Sequence, residues 1–529
     1  MADRYFCTGQ VFITNGTATV VEAGRIAAAG NTTLNITDPG GGGQFTITMA
    51  NGTSGTLTSG TSTVTDSPVT LSAGDNVITI AGSGTATLNL TLGSGANTNS
   101  INSWSDASGG AVGASIPTSA DNAYFDANSY TAASQTATVD AAMSCLDMIW
   151  TGATNTPTLA FGDSLSCFSN VTMIAGMSTS GTGYLQLKSV GAANISILPS
   201  LPNRVFFGGV GSFTLLQNLT TSVQVNLDAG TLDTNGKTVT CSSFNSSNVS
   251  VRTLTSGASI FTCGAWSITD ATNLTITANT ATINISGTGA LAGGDVDYNG
   301  ADFNLNGTAH TLSGDFTCAT LALSSGTTQA ITMTAGQVIT CTTVTLSGDA
   351  THAHTIVSGT AGTLAQIWAT NHTDDYVTYT DILRNYNGVI VSDCDGAGGG
   401  TFAGGGGTFT SLTIQGAGAH ALTITGSNTF ALILVDTTEE AKTITGTAGT
   451  TQTIRRLHKT DNPNVLTMNS TGAAWTIAGH SGYFEGDFMD LTNVVATEPN
   501  LYYAGDNSTD GTGNTNWVFS RRIRQSFKP

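Results

Sequence analysis

The stretch that decides the fold is Thr240-Cys241-Ser242-Ser243-Phe244, which returns further along the chain as Thr262-Cys263-Gly264-Ala265-Trp266. In both copies a cysteine is followed three positions on by a large apolar residue. Three further cysteines follow this pattern, namely Cys145 with Met148, Cys318 with Leu321 and Cys341 with Val344, and Cys167 fits it more loosely. The interval of about 22 residues between Cys241 and Cys263 is typical of a repeat fold, and it recurs between Cys145 and Cys167. Cys318 and Cys341 are one position further apart. This spacing predicts coils of a β-solenoid, in which each coil returns a small apolar side chain to one column.

The sequence between the cysteines indicates short strands. Residues 281–285, 411–414 and 421–424 alternate apolar and polar side chains with a period of two. Gly, Asn and Asp interrupt such segments at turns. We therefore expect an all-β chain dominated by a right-handed parallel β-helix. The alternative role for the cysteines is zinc binding. The chain has no Cys-x-x-Cys pair, which structural zinc sites typically use. We therefore expect reduced cysteines that pack in the core.

The composition excludes several classes of protein. Charged residues make up 9% of the 529 residues and hydrophobic residues 39%, which disfavours disorder. The net charge of −19 disfavours nucleic-acid binding. The basic tail, residues 521–528, is read as a solvated end. No basic stretch followed by an apolar run opens the chain and no apolar run is long enough to cross a bilayer, so we expect a soluble protein made in the cytoplasm.

The N-terminal region has another pattern. Residues 15–98 contain alternating strands such as 44–49 and 76–80, with turns between them and no cysteine. This pattern is typical of a β-sandwich-like domain. A boundary is expected between Gly95 and Asn102, where Ser and Asn dominate.

Two segments resemble a known group of proteins. Trp104 and a Gly-rich run lead to Pro117-Thr118-Ser119-Ala120-Asp121 and then to Phe125-Asp126-Ala127-Asn128. Near the end, Tyr503-Ala504-Gly505 is followed by an Asp-Gly-Thr-Gly-Asn run, residues 510–514, and by Trp517-Val518-Phe519. Both resemble the opening and closing segments of phage-encoded β-helical structural proteins, often labelled tail or tail-fibre proteins.

The resemblance implies a domain order and a role in a virus particle. Residues 1–14 would give the first strand of a cap, 15–98 an inserted β-sandwich-like domain, 99–144 the cap that starts the β-helix, 145–500 the parallel β-helix, and 501–529 the closing segment with its basic tail. The likeness carries no catalytic residue over to this chain.

A less favoured hypothesis is that some of the carboxylates form a polysaccharide-degrading site, because glycoside hydrolysis uses a pair of carboxylates. The candidates are Asp374, Asp375, Asp381, Glu439, Glu440, Glu485 and Asp487, with Asp490 nearby. Asp at strand ends commonly caps turns, and adjacent carboxylates on one strand point to opposite faces. The structural reading is therefore favoured over catalysis.

Histidines and tyrosines are the candidates for metal and glycan binding. On a strand, His352 and His354 would share one face, with His372 and Asp374 as further ligands, but surface positions explain them equally well, and no metal or other cofactor is expected. Exposed aromatic rings beside Asp and Asn suit sugars, although packing between coils competes with that role. The carbohydrate-binding candidates are Tyr376, Tyr379, Tyr483, Tyr502 and Tyr503.

These features predict a bacteriophage virion structural protein, of tail-fibre or tail-spike type, that mediates attachment to the host surface through repeated weak contacts. The expected partners are other virion proteins, further copies of the same chain (by analogy a trimer) and a host surface glycan. Neither nucleic acid nor membrane insertion is expected. A capsid decoration protein and a depolymerase are the alternatives, and a secreted bacterial adhesin is disfavoured by the missing signal peptide.

Overall fold

The computed structural model describes residues 1–8 and 103–519, except 111, 324–325, 347, 374–375, 394–398, 480–482 and 498–500. Between residues 9 and 102 it describes the backbone of the strands, together with Thr98. The predicted fold class is confirmed. The chain is all-β, with a parallel β-solenoid of about 17 turns. Its described part contains no helix with the length and apolarity that a membrane span requires.

Antiparallel strands form the N-terminal region. Strands β2, β3, β5, β7 and β9 make one sheet, and β4, β6, β8 and β10 make another, as expected for a β-sandwich-like domain. The strands predicted at residues 44–49 and 76–80 are β5 and β9, which pair with each other. The strands of this region are β1 (Asp3–Phe6), β2 (Gln10–Asn15), β3 (Gly24–Ala27), β4 (Asn31–Asp38), β5 (Gln44–Met49), β6 (Ser54–Ser59), β7 (Thr63–Val64), β8 (Val69–Leu71), β9 (Gly74–Ala81) and β10 (Gly84–Thr91).

The chain divides into two compact units, the first of residues 1–263 and 270–281 and the second of residues 264–269 and 282–529. In the first unit, parallel strands stack coil upon coil in three rows. The first row is β11, β14, β17 and β20, and the second is β15, β18, β21, β23, β26 and β28. The third row is β13, β16, β19, β22, β24, β27, β29 and β31. These strands are β11 (Gly95–Asn97), β12 (Trp104–Ser105), β13 (Asn122–Tyr124), β14 (Thr136–Val139), β15 (Met143–Cys145), β16 (Met148–Ile149), β17 (Thr158–Phe161), β18 (Leu165–Cys167), β19 (Val171–Met173), β20 (Ser178–Gly181), β21 (Leu185–Leu187), β22 (Ala192–Ile197), β23 (Val205–Phe207), β24 (Ser212–Leu215), β25 (Leu219–Thr220), β26 (Gln224–Leu227), β27 (Gly230–Asp233), β28 (Val239–Asn245), β29 (Arg252–Thr255), β30 (Ile260–Ser267, in which the chain passes to the second unit) and β31 (Leu274–Thr277).

The second unit continues with parallel strands in the same manner. They are β32 (Thr282–Ile285), β33 (Ala290–Ala292), β34 (Val296–Asp297), β35 (Asp302–Leu305), β36 (Ala309–Ser313), β37 (Phe316–Leu323), β38 (Ala330–Met333), β39 (Val338–Thr345), β40 (His354–Ser358), β41 (Ala365–Thr373), β42 (Val377–Thr380), β43 (Ile382–Tyr386), β44 (Val389–Asp393), β45 (Gly399–Ala403), β46 (Thr408–Gln415), β47 (Ala421–Thr425), β48 (Thr429–Val435), β49 (Lys442–Gly446), β50 (Thr451–Ile454), β51 (Leu457–Lys459), β52 (Leu466–Ser470), β53 (Trp475–Ala478), β54 (Tyr483–Glu485), β55 (Met489–Leu491), β56 (Val494–Ala496), β57 (Leu501–Tyr503), β58 (Thr509–Asp510) and β59 (Trp517–Val518).

The period-two pattern explains how the coils bury a core. In the first unit, Leu165, Leu185, Val205 and Val225 lie in register on four successive coils, and all are buried. Each such aliphatic side chain contributes about 1.5–3 kcal/mol when it leaves water. The alternate positions face outward and carry mostly Thr, Ser, Gln and Asn. Stacking of the coils therefore buries the apolar side chains and pairs the backbone hydrogen-bonding groups of neighbouring strands.

The predicted cysteine columns are present. Cys145 pairs in register with Cys167, with 3.6 Å between their Sγ atoms, and Cys318 pairs with Cys341, at 3.0 Å. Cys241 and Cys263 are also hydrogen-bonded to each other. The repeat read from the sequence is thus the coil of the solenoid.

Aromatic clusters lie in the segments that carry the family resemblance. Strand β1 pairs antiparallel with β12 and parallel with β13. Behind these strands Phe6 packs edge-on against Trp104 at 5.3 Å, and Phe125 stacks on Trp150 at 4.0 Å. In the second unit Tyr502 packs against Trp517 at 5.4 Å. Aromatic side chains bury a large apolar area where stacking begins and ends.

A two-residue hairpin interrupts the parallel order in the second unit. Strand β43 is parallel to β41, β44 is antiparallel to β43, and β46 is parallel to β44. The loop consists of Asn387 and Gly388, with φ of 49° and 80°, as a type I′ turn requires. The strand direction in this sheet therefore reverses at the hairpin, and parallel pairing resumes with β46.

Candidate functional site

An open groove of the second unit is the best candidate for a ligand site. It is lined by residues 458–463, at the end of β51 and the turn after it, and by residues 486–488, which precede β55, and its volume is about 530 Å³. The two segments meet because β52, which follows the first, pairs with β55, which follows the second. The lining is part polar and part apolar, and Phe488 and His458 both contribute to it.

The side chain of Lys459 lies at this groove. Lys459 is only 9% exposed, and its Nζ donates hydrogen bonds to the carbonyl oxygens of Thr460 at 3.1 Å and Asn462 at 2.8 Å. Burial lowers the pKa of Lys459, which the nearby Asp487 and Asp461 partly offset. The positive charge is therefore held in place by backbone carbonyls rather than by a close carboxylate.

Phe488 and Asp487 form the opposite side. Phe488 has a φ of 53°, a left-handed conformation that is rare for a bulky residue, and its ring centroid lies 5.7 Å from Lys459 Nζ. The Asp487 carboxylate accepts hydrogen bonds from the backbone N–H of Asn507 at 3.0 Å and from its side-chain amide at 2.8 Å. Asn507 thereby fixes the orientation of this carboxylate at the groove.

Another polar group is enclosed in the second unit beside the β43–β44 hairpin. Ser392 Oγ and His420 Nε2 are hydrogen-bonded at 2.8 Å, and both residues are fully buried. Burial is the main cause that lowers the pKa of His420 to about 4, and the positive charge of Lys442 is the second cause. The negative charge of Asp381 raises this pKa in part. Lys442 is itself buried and donates to the carbonyl oxygens of Gly416 at 2.8 Å and Gly418 at 2.5 Å. Because its hydroxyl is buried, Ser392 does not face solvent as a nucleophile would.

An ion pair links the two strands of the hairpin. Arg384 on β43 donates from Nε at 3.1 Å and from Nη2 at 2.9 Å to Asp393 Oδ2 on β44. Gln415 donates to the other oxygen of Asp393 at 2.6 Å. The Arg384 guanidinium also lies over the Tyr379 ring, 3.9 Å from its centroid. These contacts stabilise the point at which the strand direction reverses.

The predicted carboxylates fall in different surroundings. Asp381 is buried and accepts a hydrogen bond from the backbone N–H of Gly362 at 2.7 Å, whereas Glu439 and Glu440 are exposed after β48. Asp487 lies in the groove and Asp490 on β55 is half-buried. Asp374, Asp375 and the side chain of Glu485 lie outside the described residues.

The acidic partner of Asp487 in the groove is Asp461, which sequence reasoning missed. Asp461 is exposed and precedes Asp487 by slightly more than one coil of the solenoid. Leu466 pairs with Met489, 23 residues further on, whereas Asp461 and Asp487 are 26 residues apart, so the spacing that identifies the cysteine columns does not identify this pair.

The histidines considered as metal ligands have separate roles. His352 precedes β40 and pairs with Asp349 at 2.9 Å, whereas His354 lies on β40 and is buried. The expectation of a shared strand face does not apply, since His352 is outside the strand. His372 stacks on Tyr386 at 5.0 Å. No group of three or more His, Cys, Asp or Glu side chains in the described part of the chain is arranged to hold a metal ion.

The tyrosines predicted to bind sugar differ in exposure. Tyr376 is 59% exposed and Tyr503 is half-buried. One face of Tyr379 is covered by Arg384, and Tyr502 is buried in the core against Trp517. The side chain of Tyr483 lies outside the described residues. Of the described four, Tyr376 is the most accessible.

Comparison with protein-family models, curated proteins and solved structures finds no match to this chain.

Proposed function

We propose that this chain is a structural protein of a bacteriophage particle, of tail-fibre or tail-spike type, which contacts the host surface. The supporting observation is the parallel solenoid of about 17 turns, with aromatic clusters in the two segments that resemble phage β-helical proteins. Trp104 and Phe125 belong to one cluster, and Tyr502 and Trp517 to the other.

The physical basis of attachment is repetition on a rigid support. Stacked coils hold each side chain against its neighbours in the next coil, so surface groups keep fixed positions. Contacts that are individually weak then add when several copies or sites engage one surface. The low content of charged residues limits nonspecific electrostatic adhesion.

Mass spectrometry of particles purified from lysates that contain this chain tests the proposal. Heads and tails are separated before digestion, and we expect peptides of the chain in the tail fraction. Peptides confined to heads would replace the tail assignment with a decoration role on the capsid, and absence from the particles would overturn the proposal.

Incubation of the purified chain with host capsule tests the enzymatic alternative. We expect neither reducing ends nor unsaturated products to accumulate. Their release, abolished by the substitution Asp487→Asn, would make the chain a depolymerase instead.

A further inference from the structure

We propose that the groove formed by residues 458–463 and 486–488 binds a neutral hexose unit of a polysaccharide, with the Phe488 ring as the stacking surface and Asp461 and Asp487 as acceptors for sugar hydroxyls. This inference rests on the proposed attachment function and names its ligand class. It places the sugar in the groove rather than at the tyrosines suggested by the sequence.

The backbone at Phe488 is the first argument. A left-handed conformation costs a residue other than glycine roughly 1–2 kcal/mol, and such strain is concentrated at functional sites. The carbonyl oxygen of Phe488 accepts a hydrogen bond from Leu466 N at 3.0 Å, which holds the backbone in place. A glycine would adopt this φ without strain, but the residue here is a half-buried phenylalanine that lines the groove.

The acceptors are the second argument. A carboxylate has about four lone-pair sites, and Asn507 uses two of them on Asp487. The remaining sites, with those of the exposed Asp461, can accept hydrogen bonds from vicinal hydroxyl groups of a sugar. Lys459 lies over one face of the Phe488 ring, so the apolar C–H face of the same sugar would stack on the other face. One aromatic surface and a few convergent polar groups are typical of small-ligand sites.

The charges decide in favour of a neutral sugar. Two carboxylates line the groove, and the ammonium of Lys459 already donates hydrogen bonds to two backbone carbonyls. The whole chain carries a net charge of −19. A sugar that bears a carboxylate would therefore be repelled on approach.

Saturation-transfer NMR and calorimetry on the full chain, with maltotriose, cellotriose and chitotriose as probes, test this assignment. We expect at least one probe to bind. Phe488→Gly should weaken that binding by roughly tenfold, the loss of one aromatic contact. The unfolding midpoint should change little, because the relief of left-handed strain offsets the lost burial of the ring and the added entropy of the unfolded chain. Asp461→Asn, at an exposed position, should also weaken binding without unfolding the chain.

Tyr376 also has a left-handed backbone, with a φ of 55°, but it lies outside the groove. Tyr376→Ala is therefore the matched control and should leave binding unchanged. Loss of binding in Tyr376→Ala but not in Phe488→Gly would overturn the inference. So would failure of all three probes to bind, or a preference for oligogalacturonate over them. If the chain is found in tails but binds no probe, only this inference is overturned. If the chain binds a probe but is absent from particles, only the attachment role is overturned.

Discussion

Cys318 and Cys341 occupy equivalent positions on neighbouring coils, and each thiol lies where the core needs a small apolar group. The hydrogen bond between the two thiols, and then burial, raise the pKa of Cys318, and the same causes act on Cys145 and Cys263. Only the thiolate is a reactive nucleophile. The cysteine columns are therefore chemically inert packing units at neutral pH.

Alkylation tests this interpretation. In a Cys394→Ser variant, which removes the one cysteine outside the described residues, we expect iodoacetamide at pH 8 to add nothing to the folded chain. After unfolding in urea all seven remaining cysteines should react, as read from the intact mass. Rapid labelling of the folded chain would contradict the buried columns.

His420 makes stability depend on pH. Its pKa is lowered from 6.5 when unfolded to about 4 when folded, so its contribution to stability is complete above pH 6.5 and is lost as the pH falls towards 4. Between these values the loss is about 3 kcal/mol, at about 1.4 kcal/mol per pH unit. Urea unfolding at pH 7 and pH 4 should show this loss in the native chain.

The variant His420→Gln is the control for this titration. It removes the titrating group, so the fall in unfolding free energy between pH 7 and pH 4 should be about 3 kcal/mol smaller than in the native chain. Equal falls in the two proteins would show that His420 does not titrate as described.

At the scale of elements, most strands follow from period-two alternation, but the β43–β44 hairpin does not. Asn387-Gly388 between apolar runs is a strong hairpin signal, but the expectation of parallel strands throughout the solenoid does not include it. The Arg384–Asp393 ion pair spans the two strands. The turn and the ion pair together specify where the strand direction reverses.

The substitution Gly388→Ala tests the importance of this turn. Gly388 has a φ of 80°, so a Cβ there should lower the free energy of unfolding by about 1 kcal/mol, measured as a lower urea midpoint. Gly472→Ala is the matched control in the same unit, because its added Cβ meets only an ordinary contact, Ala448 Cβ at 3.6 Å, and its φ is not left-handed. Equal midpoints for the two variants would argue against a required type I′ turn.

At the scale of the whole molecule, surface charge is set by composition. The chain has 34 acidic and 15 basic residues and an isoelectric point near 4.4. Mutual repulsion between copies is strong at neutral pH and vanishes near that value.

Light scattering of the purified chain across pH should therefore show self-association with a maximum near pH 4.4. At pH 7 and the same ionic strength the chain should stay dispersed. The His420→Gln variant separates this effect from unfolding, since it should associate at the same pH while resisting acid better. A maximum displaced by more than about one pH unit would show that net charge does not govern association.

Part of the groove was within reach of sequence reasoning and part was not. Asp487 was among the candidate carboxylates, and its partner Asp461 lies about one coil earlier. The left-handed backbone of Phe488 and the burial of Lys459 have no local signature, because both depend on the turns of neighbouring coils. Exposure likewise separated Tyr376 from Tyr502, which look alike in the sequence.

The sequence by itself determined the all-β class, the coil length and the cysteine columns, since strand alternation and the recurring cysteine spacing are local properties that every coil restates. Only the tertiary structure decided where the strand direction reverses, which polar side chains are enclosed and where the groove lies. Ser392 and His420, for example, are 28 residues apart and meet only through the particular lengths of the turns between them. Turn lengths vary from coil to coil, so periodicity alone cannot say which polar residues come into contact.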